Sequence, residues 1–152
     1  CGKGLGENIM SGVIRITGNA AEAAGASGRG GLIVIDGDAS SRCGISMKGV
    51  DIVVTGSVGH MSGFMAQAGR LVVLGDADDD LGDSIYEADI YVRGSTGTLG
   101  TDCVVKEMTP DHVKSLSQLL ERARVDCPAD AFRRYGSARK LYNFSVDNAD
   151  GY

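Results

Sequence analysis

Ile33-Val34-Ile35-Asp36-Gly37 is answered nineteen residues later by Ile52-Val53-Val54-Thr55-Gly56, and nineteen after that by Leu71-Val72-Val73-Leu74-Gly75. Outward from this stretch the same figure holds at Ile14-Arg15-Ile16-Thr17-Gly18 and at Ile90-Tyr91-Val92-Arg93-Gly94. A second glycine series, Gly6, Gly25, Gly44, Gly63 and Gly82, keeps the same step and slips by one only at Gly100, beside Thr101. Self-similarity at a fixed period of this order marks a solenoid, in which each repeat is one structural unit stacked on the next.

The faces follow from the spacing. Four residues before each closing glycine stand Ile14, Ile33, Ile52, Leu71 and Ile90; two before it stand Ile16, Ile35, Val54, Val73 and Val92. All are aliphatic and nearly all β-branched, whereas the flanking positions include Thr17, Asp36, Asp51, Arg70, Asp89 and Arg93. Such alternation is that of a strand with one face buried. Past each glycine the inward column continues with the smaller Ala20, Ala39, Val58, Ala77 and Thr96, which predicts a short second strand. The fold expected is an all-β solenoid, a right-handed parallel β-helix with 19-residue coils, with glycine at the corners where a positive φ is cheap. Hexapeptide and nonapeptide β-solenoids fail on period, and the Leu-x-x-Leu spacing of a leucine-rich repeat is missing.

The coils occupy residues 1–108. Residues 109–152 are expected to form a C-terminal helix and a docking tail that packs on the solenoid or on a partner. The helix starts at Thr109 as N-cap with Pro110 first, and runs to about Arg124 with Val113, Leu116, Leu119, Leu120 and Ala123 on one stripe. An outward column of the coils, Val34, Val53, Val72 and Tyr91, is too apolar for bare solvent. It is either covered by the chain's own C-terminal segment or is a protein interface. Nothing in the sequence caps the first coil, and the chain starts at Cys1 inside the pattern, as a fragment or processed chain would.

Composition narrows the function classes. The 152 residues suit one domain with a real core, and 23 are glycine, about double the average usage of roughly 7 %. With 15 basic against 20 acidic residues and a net charge of −5, there is no basic stripe for nucleic acid. No apolar run is long enough to span a membrane. Cys1, Cys43, Cys103 and Cys127 are widely spaced, which points to reduced thiols and a cytoplasmic protein.

Candidate sites are few. Asp76-x-Asp78-x-Asp80 with Glu87 imitates a calcium loop, but Leu81 stands where glycine is required and a strand precedes it, so a solvated acidic turn is expected. His60 lies one coil above Cys43 in a Cys/His arrangement without an orienting carboxylate; a packed corner histidine is the favoured reading. Gly25-x-x-Gly28-x-Gly30-Gly31 precedes a strand and not a helix, so it is read as corners and not as a phosphate cradle. Met47, Met61 and Met65 are assigned to core or interface packing. No catalytic, cofactor-binding or metal residue is assigned.

Gly37-Asp-Ala-Ser-Ser-Arg-Cys-Gly44-Ile-Ser-Met-Lys-Gly49, Gly56-Ser-Val-Gly-His-Met-Ser-Gly63 and Leu81-Gly-Asp-Ser-Ile-Tyr-Glu87 resemble the G-x-G-x-G domain. That domain closes the large (alpha) subunit of glutamate synthase and recurs in one of the subunits of formylmethanofuran dehydrogenase. The ending Phe132-Arg-Arg-Tyr-Gly-Ser-Ala-Arg-Lys-Leu-Tyr-Asn-Phe144, with Asp147-Asn-Ala-Asp-Gly-Tyr152, resembles most the stand-alone small subunit of N-methylglutamate synthase and related complexes. The resemblance implies a non-catalytic assembly subunit. Its partners would be an FMN-dependent, iron–sulfur-containing synthase subunit and a glutamine-amidotransferase-like subunit, in a hetero-oligomer without nucleic acid or membrane. This chain would hold no cofactor. N-methylglutamate synthase converts methylamine and glutamate to N-methylglutamate and ammonia. The alternatives are a formylmethanofuran-dehydrogenase-type subunit with a molybdenum or tungsten partner, and a stand-alone β-helix lyase or hydrolase, for which the scattered acids Asp36, Asp38, Asp51 and Asp76 offer no groove-lining cluster.

Overall fold

The computed structural model describes residues 2–138. Five strands, β1 (Val13–Thr17), β2 (Leu32–Asp36), β3 (Lys48–Val54), β4 (Ala68–Val73) and β5 (Asp89–Val92), pair in parallel in chain order. Ile14 lies on Ile33, Ile33 on Ile52, Ile52 on Leu71 and Leu71 on Ile90, so each partner is one nineteen-residue coil away. The result is a parallel β-solenoid of about four turns. One irregularity interrupts the register, between Lys48 and Asp51, where Gly49 takes a φ of +140°.

Inside the coils the aliphatic columns stack on themselves with Met47, Val50, Leu81 and Ile85 between them. Each buried side chain of this size contributes roughly 1.5–3 kcal/mol. The expected short second strand is reduced to single bridges, Ala20 with Ala39, Val58 with Ala77 and Ala77 with Thr96. The reason lies in the next few residues of each coil. From Ala23, Arg42, Met61 and Asp80 every second residue becomes left-handed, as in Ala23, Gly25 and Ser27, then Arg42, Gly44 and Ser46. The alternation sends successive amides to opposite neighbours: Ala23 N–H donates up to Ser41 O, Gly25 N–H down to Leu5 O, and Ser27 N–H up to Ile45 O.

The closing glycines do a different job from the one expected of them. Of that column only Gly18 has a positive φ; Gly37, Gly56, Gly75 and Gly94 do not. They are glycine because the coil beneath comes too close. A Cβ on Gly56 would stand 2.6 Å from Gly37 O and against the Asp38 carboxylate. The side chains below use that clearance to cap the next coil: Asn19 accepts from Asp38 N–H, Asp38 from Ser57 N–H, Ser57 Oγ from Asp76 N–H and Asp76 from Ser95 N–H, at 2.8–2.9 Å.

At the far end the chain departs from the repeat. The residues one period beyond β5 begin helix α1 (Pro110–Arg122), so no sixth parallel strand stacks on β5 among the described residues. β7 (Arg133–Ser137) fills the place, antiparallel to β5 on one side and to β6 (Cys103–Lys106) on the other. Its Tyr135 enters the core and Arg134 Nε donates to Asp89 Oδ1 at 2.8 Å. Helix α1 starts at Thr109, whose hydroxyl accepts from His112 N–H while His112 Nδ1 accepts from Thr109 N–H. Leu116, Leu119, Leu120 and Ala123 lie on Leu32, Val34, Val53, Val72 and Tyr91, so the chain's own helix covers the apolar outer column. Arg70 ties the helix down through Ser115 while pairing with Asp51 at 2.9 Å.

Candidate functional site

The side chains flagged in the sequence do not converge. Cys43 points into the core and is fully buried, and that burial pushes its thiol up to about 12. His60 lies on the surface with its Nδ1 3.5 Å from Asp80 Oδ2. One faces the inside of the coil and the other faces water, so they form no nucleophile–base pair. A thiol held protonated at neutral pH is also a poor nucleophile.

The acidic turn is spent on backbone. Asp76 caps the coil above it, Asp78 Oδ1 accepts from Asp79 N–H, Asp79 Oδ1 accepts from Thr98 N–H, and Asp80 meets His60. No group of three or more His, Cys, Asp and Glu side chains able to hold a metal occurs among the described residues. The amides of the Gly25–Gly31 segment are likewise committed, Gly25 to Leu5 O, Gly28 to Gly25 O and Gly30 to Ile9 O. Met47 is core, whereas Met65 is partly exposed. The cysteines among the described residues offer no set for an iron–sulfur cluster: Cys43 and Cys103 stack inside the coils, and Cys127 lies beside α1, accepting from Arg93 Nη1.

Surfaces, not clusters, distinguish the molecule. At one end β1 is an edge strand. Throughout the stack the second glycine series donates to the preceding coil (Gly25 to Leu5 O, Gly44 to Ala24 O, Gly63 to Cys43 O), as do Leu32 to Gly12 O and Asp51 to Gly31 O. Gly6 and Val13 hold those same places in the first coil, where no coil lies beneath them among the described residues. Met10 and Val13 are 72% and 68% exposed, and Ile14 and Ile16 are only half-buried. At the other end β6 is the second edge, with Val105 58% exposed.

Between the ends runs a flank groove. One depression of about 270 Å³ is walled by Tyr86, Glu87, Asp89, Lys106, Arg134 and Ser137; a neighbour of about 440 Å³ shares Tyr86 and Glu87 and reaches Met65 and Gln67. Sequence reasoning missed it because β7 builds one wall, and β7 carries no strand alternation. Its only signal is the pair of arginines, of which Arg134 meets Asp89, whose register neighbour Arg70 is paired with Asp51. No helix among the described residues is long and apolar enough to cross a membrane.

Comparison with protein-family models gives no match, and no solved structure matches. Protein GlxC of Rhizobium meliloti (strain 1021) is 62% identical over 96 residues, which are 62% of this chain and 42% of that protein. The matched stretch thus spans about two-fifths of the relative's length.

Proposed function

We propose that this chain is a non-catalytic assembly subunit of a glutamate-synthase-related complex, holding an FMN- and iron–sulfur-containing synthase subunit and an amidotransferase-like subunit together. The observation that carries the reading is the pair of strand edges, β1 and β6, left open among the described residues, each presenting exposed aliphatic side chains at opposite ends of a stiff stack. Edges of this kind are templates for further chain, and soluble proteins normally blunt or cover them. The G-x-G-x-G-like repeat and the identity to Protein GlxC support the same assignment. Within that class the Phe132–Tyr152 ending favours N-methylglutamate synthase, in which methylamine and glutamate give N-methylglutamate and ammonia. The chain's contribution is geometric: a rod whose length is set by its coils fixes the separation of two partners.

Purification from the native source under mild conditions tests this. The expected result is co-elution with two larger chains and a visible spectrum of flavin plus iron–sulfur, with activity on methylamine and glutamate. Recovery of a colourless chain without partners overturns the assembly reading. Partners carrying molybdenum or tungsten in place of flavin overturn the glutamate-synthase assignment.

A further inference from the structure

The inner depression of the flank groove holds charges of both signs that do not neutralise one another. Glu87 and Asp89 line it together with Lys106 and Arg134. Of the opposite-charge pairs these four could make, one forms among the described residues: Arg134 Nε donates to Asp89 Oδ1 at 2.8 Å. Arg134 Nη1 is spent on Glu107 O at 3.0 Å. Lys106 and Glu87 pair neither with each other nor with any other described side chain, and Asp89 Oδ2 accepts no hydrogen bond from one.

The reason Lys106 stays apart lies in β7. Gly136 has no side chain, and a Cβ there would stand 3.3 Å from Lys106 Cγ and 3.4 Å from Lys106 Cε. The lysine stem therefore lies along the β7 backbone, half-buried, while Glu87 is exposed on the other side of the depression. An ammonium and a carboxylate that share a depression without meeting suit a guest carrying both opposite charges. A simple anion would face two carboxylates, and a simple cation two basic side chains, so half of the lining repels either one. A zwitterion satisfies both halves with charge-assisted bonds.

The adjoining depression decides what else the guest carries. It has about 440 Å³, against about 270 Å³ for the charged one, and is bordered by Met65, Gln67, Tyr86 and Glu87. A thioether and a phenol ring make contact area for an apolar group. Together the two are of the size of small-ligand clefts.

We propose that the flank groove binds an α-amino acid with an apolar side chain. Its carboxylate meets Lys106, its ammonium meets Glu87 and Asp89, and its side chain lies along Tyr86 and Met65. This site stands apart from the assembly reading, and its test needs no partner subunit.

The full chain, titrated with L-leucine and followed by NMR, is expected to bind saturably with a dissociation constant on the order of 1 mM, as suits an open site with few charged contacts. Each half of the zwitterion, 4-methylpentanoate without the ammonium and 3-methylbutylamine without the carboxylate, should bind about tenfold more weakly. Lys106→Met should weaken L-leucine about tenfold and leave the amine unchanged, whereas Glu87→Gln should weaken L-leucine as much and leave the carboxylate unchanged. That crosswise pattern separates direct recognition from a general disturbance of the groove. Both side chains reach solvent, so neither substitution should move the unfolding midpoint. No saturation by about ten times the expected constant, half-ligands that match L-leucine, or a Lys106→Met chain that binds like the parent would each overturn the site.

Discussion

Each coil places left-handed residues at fixed positions, and several of them are not glycine: Ala23, Ser27, Arg42, Ser46, Met61, Met65, Asp80 and Ser84. A left-handed L-residue costs roughly 1–2 kcal/mol, and these persist because register with both neighbouring coils satisfies their amides. Relief should therefore stabilise: Ala23→Gly is expected to raise unfolding free energy by about 0.5–1 kcal/mol in urea titration. Gly56→Ala acts oppositely. Its φ is ordinary, but the new methyl meets backbone, and a loss of about 2–3 kcal/mol is expected. The buried thiols add a pH signature. Burial raises Cys43 from 9.0 to about 12, and Cys103 to about 11 by burial and then the Asp83 charge. The unfolded chain therefore deprotonates first, so this stability is intact below pH 9 and drains away as pH rises toward 12. Urea midpoints measured across that range should fall less steeply in Cys43→Ala than in the parent. Glycine columns were legible in the sequence; the left-handed non-glycines were not, because Ala, Ser, Arg and Met carry no local signal for positive φ and are held there only by neighbouring coils.

Among the elements, the helix was legible and β7 was not. Thr109 and Pro110 fix the start of α1 by local chemistry, and its apolar stripe is periodic in sequence. The sequence left open whether Val34, Val53, Val72 and Tyr91 were covered from within; α1 covers them. Leu119→Ala should therefore cost about 2–5 kcal/mol by thermal or urea unfolding, as a core substitution would, although Leu119 sits outside the coils. Thr109→Ala should cost only about 1 kcal/mol. By contrast Arg133-Arg134-Tyr135-Gly136-Ser137 has two charges and a glycine in five residues, and no pattern announces a strand. Its place is dictated from far away, by the rung above β5 that the chain leaves vacant when it turns into the helix. The flank groove was illegible for the same reason, since one wall is β7. The Cys43–His60 arrangement shows the converse. One period of offset brings positions close, yet the left-handed residue between them in each coil, Arg42 or Met61, breaks the strand alternation, Cys43 is buried and His60 faces water, and proximity in the repeat is not contact.

At the scale of the whole stack, the consistent feature is a pair of strand edges, β1 and β6, left open among the described residues. Val13→Lys and Val105→Lys place charges on them where the side chains already face solvent. Neither should shift the unfolding free energy by more than about 0.5 kcal/mol, while both should reduce the fraction of chain retained with larger partners in pull-down from the native source. Loss of stability without loss of retention would mean the edges serve folding alone. Solenoid class and the nineteen-residue period were legible because every coil repeats the same demand; the open strand edges were legible only as apolar residues out of place. The ladder from Asn19 through Asp38, Ser57 and Asp76 to Ser95 carries one more consequence. Each carboxylate, amide or hydroxyl there reads an amide one period above, so the stack has a pitch that cannot be subdivided. Removing residues 38–56 joins Gly37 to Ser57 and keeps the coil-to-coil ladder in register in a shorter stack, whereas removing 38–55 throws all later coils out of phase. Length in this lineage is therefore quantised, and insertions or deletions tolerated within the coils should come in whole periods.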